Sequence, residues 1–188
     1  CTNWLAAKYW HDQGFKRIIL SRELTLSDVK SIKKKVPGLE LECFVHGALC
    51  MAYSGRCFLS KYFTERNANL GDCVQPCRWK YNIYLAEENR KNEILELVEE
   101  GHGSYVLNSE DLCLIKRLNE LKKAEIDAFK IEGRAKSVYY LGNVVGAYRQ
   151  AIDTIYSRKT NKAKKKILDY LYKELEEKMF HRGYTEGN

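Results

Sequence analysis

The chain has 188 residues, 45% hydrophobic and 30% charged, with a formal net charge of +7. These proportions exclude wholesale disorder, and the length suffices for one domain with a sizeable core, a second small domain being allowed but not required. No apolar run reaches bilayer length and no signal peptide opens the sequence, so a cytoplasmic location is expected and the seven cysteines read as thiols or metal ligands rather than as a disulfide framework.

The sequence begins at Cys1 with no initiator methionine and reads as a piece of something longer. Residues 3–14, NWLAAKYWHDQG, predict a helix with Leu5, Ala6, Tyr9 and Trp10 on its apolar stripe and Gly14 as its stop. RIIL, residues 17–20, predicts a buried strand. The next helix has Thr25 or Ser27 as its cap and Val29, Ile32 and Val36 on its inner face, and Pro37-Gly38 ends it. In LELECFVHG, residues 39–47, Leu39, Leu41, Cys43 and Val45 point one way, and Glu40, Glu42, Phe44 and His46 the other. Strand, helix, strand predicts a parallel βαβ unit.

Residues 81–88 and 92–100 predict an antiparallel pair, the second run being equally readable as a helix, and 104–108 predicts another short strand. From Ser109 the three-residue spacing of Leu112, Ile115, Leu118 and Leu121 predicts a helix. IDAFKIEG, 126–133, predicts a strand with Ala128, Lys130 and Glu132 on one face and Phe129 and Ile131 on the other. A long helix is expected over 135–156. After a lysine run, an amphipathic helix follows with Ile167, Leu171, Leu175 and Met179 on one stripe. The lysine run reads as a solvated linker before it reads as a phosphate contact.

Repeated strand-helix units bring functional groups to the carboxyl ends of their strands. Those ends carry Arg22-Glu23, His46 and Glu132-Gly133-Arg134. Glu42, His46, Lys130 and Glu132 occupy faces where apolar residues are expected. Buried unpaired charge is costly, so these groups are paired, as Lys130 with Glu42, or solvated, or used on a substrate.

Cys50, Cys57, Cys73 and Cys77 follow the spacing C-x6-C-x15-C-x3-C, with turn residues between them. A loop of that kind can wrap a metal, and both iron and zinc favour four thiolates; the spacing leaves the metal open. Arg56, Arg66 and Arg78 flank the cysteines, with Trp79 and Tyr81 close by, a combination that suits phosphate and base contacts. Cys43 lies on an apolar strand face and reads as core, whereas Cys113 is open to either core or metal.

The stretch ECFVHGALCMAYSGRCFLS, residues 42–60, resembles the signature of the peptidase U32 family. ILSREL, GDCVQPCRWKY, YVLNSEDLC, FKIEGRAKSVYY and HRGYTEG extend the likeness along the chain. The resemblance implies an α/β fold of partial TIM-barrel-like βα repeats with a cysteine-rich loop and a small antiparallel β element. Residues 1–158 are then the carboxyl-terminal half of the core barrel, and 159–188 a basic linker and amphipathic helix leading to a further domain. The family name implies a collagenase-like peptidase. Other members resemble oxygen-inserting enzymes with a 4Fe-4S cluster, among them proteins for prephenate-dependent hydroxylation of the tRNA wobble uridine. By position, Cys50, Cys57 and Cys73 match the shared ligands, and Cys77 is the expected fourth with Cys113 as its alternative.

The expected function is therefore tRNA hydroxylation, with Arg56, Arg66 and Arg78 on RNA and Arg22, Glu42, His46, Lys130, Glu132 and Arg134 toward a small substrate. A peptidase and a structural zinc module are the alternatives. Expected partners are tRNA, a related U32 subunit and the amino-terminal half of the same barrel, with no membrane.

Overall fold

In the computed structural model, which describes residues 1–50, 52–53, 55–81, 83–86, 88–89, 94–97, 110–179 and 184–186, helix α1 (Trp4–Asp12) starts where the Asn3 side chain accepts the Ala6 N–H at 2.9 Å. Strand β1 (Arg17–Ile19), helix α2 (Leu26–Lys35) and strand β2 (Glu40–Ala48) form the predicted parallel unit. Thr25 opens α2 with a reciprocal cap: its hydroxyl accepts the Asp28 N–H, and the Asp28 carboxylate accepts the Thr25 N–H. Val29, Ile32 and Val36 then pack in one cluster with Leu39, Leu41 and Cys43. Each buried aliphatic side chain contributes about 1.5–3 kcal/mol.

The predicted stripe of α1 faces the other way. Leu5, Tyr9 and Trp10 are exposed, and the helix is seated by buried Ala7 and by Trp4, over which Lys35 Nζ lies at 4.4 Å. A small residue at the contact allows close approach, which a hydrophobicity pattern does not register.

Met51–Ser109 form one compact unit, and Cys1–Cys50 with Glu110–Asn188 form another. The inserted unit holds helix α3 (Leu59–Thr64), single 3-10 turns at Ala68–Leu70 and Pro76–Arg78, and the antiparallel pair β3 (Ile83–Ala86) and β4 (Ile94–Leu97). The strand expected at 104–108 lies outside the described residues.

The chain rejoins the first unit as β5 (Asp111–Cys113), a 3-10 turn at Ile115–Arg117 and helix α4 (Leu118–Lys123). The helix predicted from Ser109 is therefore corrected. Leu112, Ile115, Leu118 and Leu121 are all buried, but a strand, a tight turn and a helix satisfy the same spacing, and β5 supplies the pairing that the end of β2 needs. Strand β6 (Ala128–Ile131), helix α5 (Val138–Tyr156), helix α6 (Asn161–Lys178) and the short β7 (Tyr184–Thr185) complete the unit. Ser137 and Thr160 cap the two long helices. Val144, Tyr148 and Ile155 of α5 share a core with Leu168, Leu171 and Leu175 of α6.

β2 is the central strand. β6 runs parallel to it along one edge, where Leu41 O and His46 O accept the Asp127 and Glu132 N–H groups. The other edge is shared: Glu42 O accepts from Leu20 beside β1, and Val45 O accepts from Leu114 beside antiparallel β5. A bulge at Val45 makes this possible, because the register passes from Phe44↔Lys130 directly to His46↔Ile131. The strict alternation expected through His46 ends there. No helix among the described residues is long and apolar enough to cross a membrane.

Candidate functional site

The parallel strands β1, β2 and β6 end side by side, and their ends carry a joined set of charges. Arg22 Nη2 lies 3.2 Å from Glu132 Oε2, and Arg22 Nη1 lies 3.6 Å from Cys50 Sγ. The guanidinium carbon sits 3.7 Å over the Phe44 ring, and Lys130 Nζ lies 5.0 Å over that ring. Lys130 also reaches Glu42 at 3.9 Å, the pairing expected from the strand faces, and Arg17 Nη1 approaches Glu42 at 3.8 Å. Glu132 Oε1 accepts the Arg134 N–H at 3.2 Å, and the Arg134 side chain is exposed.

Two glycines set how closely these ends approach. Gly47 has φ +110°, and a Cβ there would lie 2.4 Å from the Glu132 carbonyl oxygen. At Gly133 a Cβ would meet Leu141 Cδ2 at 2.1 Å, so this glycine lets α5 close over the end of β6.

His46 is placed apart from that set. It is 1% exposed, with the rings of Tyr140, Tyr148 and Tyr184 at 5.9, 5.4 and 5.5 Å. Tyr148 donates to Val45 O at 2.7 Å, and burial pushes its hydroxyl well above the usual phenol range. Beside this aromatic cage Asp111, fully buried, meets Lys136 Nζ at 3.5 Å. The sequence does not announce that pair, because Asp111 falls in a stretch of helical spacing and becomes a strand residue only by pairing with Ala48.

Cys113 lies in the core with 0% exposure, and burial pushes its thiol up to about 11. Cys43 is likewise buried and pushed up to about 12. A thiol held in its protonated form is a poor metal ligand. A cleft of about 60 Å³ opens beside Arg22, Phe44, Leu114, Arg117 and Glu186, where β1 has ended and β5 has just begun along β2.

The inserted unit presents Cys57, Cys73 and Cys77. Asn69 Oδ1 accepts the Cys57 N–H at 3.0 Å, and Cys73 Sγ accepts the Gln75 N–H at 3.2 Å. Gln75 itself has φ +56°, a left-handed conformation that turns the chain from Cys73 toward Cys77. All seven cysteines are free thiols, with Cys50 exposed and Cys57, Cys73 and Cys77 part-exposed. By donor type these four suit iron or zinc. By position, no group of three or more histidine, cysteine, aspartate or glutamate side chains is gathered for a metal among the described residues. Of the three arginines expected on RNA, Arg66 is held by Asp72 at 2.8 Å, Arg56 is exposed, and Arg78 lies in the turn after Pro76.

Comparison with known proteins agrees with the motifs. The chain is 38% identical over 222 residues to the tRNA hydroxylation protein P of Escherichia coli, covering 98% of this chain and 48% of that protein. It is 45% identical over 190 residues to an uncharacterized protease of Methanocaldococcus jannaschii, covering 99% and 44%. It is 36% identical over 182 residues to the 23S rRNA 5-hydroxycytidine synthase of Escherichia coli, covering 96% and 26%. The chain thus spans less than half the length of these curated relatives. No solved structure matches it. The family match runs from the first residue to the last: over residues 1–188 the chain belongs to peptidase family U32.

Proposed function

We propose that this chain is part of an RNA-hydroxylating enzyme whose substrate is the wobble uridine of tRNA, and that it works with a 4Fe-4S cluster and prephenate. The observation that carries the reading is Arg22, which touches the exposed Cys50 thiol and the Glu132 carboxylate at once. A candidate cluster ligand and a candidate substrate-binding acid thereby share one cation. The likeness to two relatives named for RNA hydroxylation, one for tRNA and one for rRNA, points the same way.

In this reading Cys50, Cys57, Cys73 and Cys77 hold the cluster, which supplies one-electron chemistry when bound. Cys113 is the weaker fourth ligand, since its thiol is fully buried in the core. Arg22, Lys130 and Arg134 offer cations to the carboxylates of prephenate, while Glu132 orients Arg22 and Glu42 orients Lys130. The Phe44 ring holds Arg22 and Lys130 in place from below. His46 contributes from the core, by filling the tyrosine cage behind the strand ends.

A peptidase is the weaker reading. His46, the histidine nearest Cys50 in sequence, is 1% exposed among three tyrosine rings, where it cannot serve as base to an exposed thiol.

The test is iron and acid-labile sulfide content with a visible spectrum, on anaerobically purified full-length protein and its Cys57→Ala variant, followed by nucleoside analysis of tRNA from cells lacking the protein. Iron and sulfide lost in the variant, and hydroxylated uridine lost in the cells, are expected. Zinc alone, with hydroxyuridine unchanged, would return the structural-zinc and peptidase readings.

A further inference from the structure

Among the described residues of the inserted unit, a cluster of aromatic rings stands exposed. Phe63 on α3 is 46% exposed and Trp79 is 39% exposed, with ring centroids 5.8 Å apart and planes tilted by 53°. Tyr81 stands 6.3 Å from Phe63, and its hydroxyl donates to Pro76 O at 2.8 Å, which fixes the ring. Tyr62, 80% exposed, meets Phe63 edge-on at 5.1 Å. Tilted and edge-on contacts leave ring faces open, and contiguous aromatic surface on a soluble unit marks an interaction site.

The sequence segment that carries the rings is basic. In residues 55–81, Arg56, Lys61, Arg66, Arg78 and Lys80 stand against Glu65 and Asp72 alone. By count the balance of the segment is positive. Aromatic faces among cations match unpaired nucleotides, whose bases stack on rings of any kind while their phosphates attract the cations.

We propose that Phe63, Trp79 and Tyr81, with Arg56, Arg78 and Lys80, form a stacking platform for unpaired bases of RNA. This rests on the RNA-hydroxylation reading and goes beyond it in naming the surface and the single-stranded state of the RNA bound there. The rings supply affinity by stacking, and the cations supply attraction without base preference. The platform therefore selects open loops over duplex, and selects no particular sequence.

The experiment is fluorescence anisotropy with a short fluorescein-labelled single-stranded RNA and a duplex RNA of the same length, on the full chain and on Phe63→Ala, Trp79→Ala and Trp79→Phe. Single strands are expected to bind more tightly than duplex, with affinity falling as salt rises. Each alanine variant should weaken single-strand binding roughly 5- to 150-fold, and Trp79→Phe should restore most of it. Thermal unfolding of each variant separates lost stacking from lost folding; because Trp79→Phe keeps a ring, equal loss in it and in Trp79→Ala overturns the platform. Equal binding of duplex and single strand, or alanine variants with unchanged affinity, also overturns it, and the exposed rings would then belong to a protein contact. The two readings fail separately. Single-strand binding in a protein that hydroxylates no RNA keeps the platform and sinks the hydroxylation reading, while hydroxylation that survives both alanine variants at unchanged affinity does the reverse.

Discussion

Arg22 and Glu132 meet at 3.2 Å across the ends of β1 and β6, both largely shielded from solvent, at 14% and 26% side-chain exposure. Their contact joins the first and third parallel strands over the end of the second. Removing one partner of a shielded pair leaves the other short of its charge, which costs more than the pair contributes. Arg22→Ala and Glu132→Ala should each lower stability by about 1–2 kcal/mol, and the double variant by less than the sum. Urea unfolding of the four proteins measures the coupling; strict additivity would show that the two side chains act independently.

Gly47→Ala and Gly133→Ala separate two kinds of crowding. At Gly47 a methyl group meets a backbone carbonyl at 2.4 Å in a left-handed conformation, and neither can yield. A loss of about 2–4 kcal/mol is expected. At Gly133 the obstacle is the far end of the Leu141 side chain, which can rotate, so about 1 kcal/mol is expected. Denaturant midpoints at matched m values rank the two, and the reverse order would contradict the close approach of β2 and β6.

Asp127 gives the first unit a pH dependence. Burial opposes its ionisation, but Lys33 at 2.6 Å and the Leu41 N–H at 2.8 Å outweigh that and hold the carboxyl below its ordinary value. A folded value below the unfolded one, about 3.9, means stability that is present above that pH and lost as pH falls through the folded value. Asp127→Asn should lose about 1 kcal/mol at neutral pH, after discounting for solvent screening. Its acid unfolding curve should also fall less steeply below about pH 4 than that of the parent. Parallel curves would remove Asp127 from the account.

Cysteine variants test the fourth ligand. Cys77→Ser is expected to lower bound iron as Cys57→Ala does, whereas Cys113→Ser should keep its iron and lose about 1–2 kcal/mol of stability instead, because it puts a hydroxyl where a core thiol lies beside Tyr148. Iron lost from Cys113→Ser with stability intact would reverse the assignment.

The βαβ unit was legible because its signals are local: the Thr25 cap, the period of Val29 and Ile32, and the stop at Pro37-Gly38. The strand-end charges were legible too, since direction along a strand places Arg22 and Glu132 at the same rim. What failed depends on partners distant in sequence. β5 carries helical spacing and becomes a strand because β2 offers it an edge, and the outward stripe of α1 follows from which neighbour α1 packs on. The bulge at Val45 leaves no mark in residue type, so the alternation places His46 on the substrate face although it lies in the core.

The first unit is built from the two ends of the sequence, and this bears on how it is made. Ala48 and Asp111 are paired neighbours, yet a ribosome must synthesise all of residues 51–109 between them. Until β5 and β6 emerge, β2 has only β1 beside it, and the Val45 and His46 carbonyls wait for partners that are not yet translated. β2 is then an edge strand open to other chains. The interval between translation of β2 and of β6 is therefore the one in which this sheet is most open to misassembly, and long-range closure ends it.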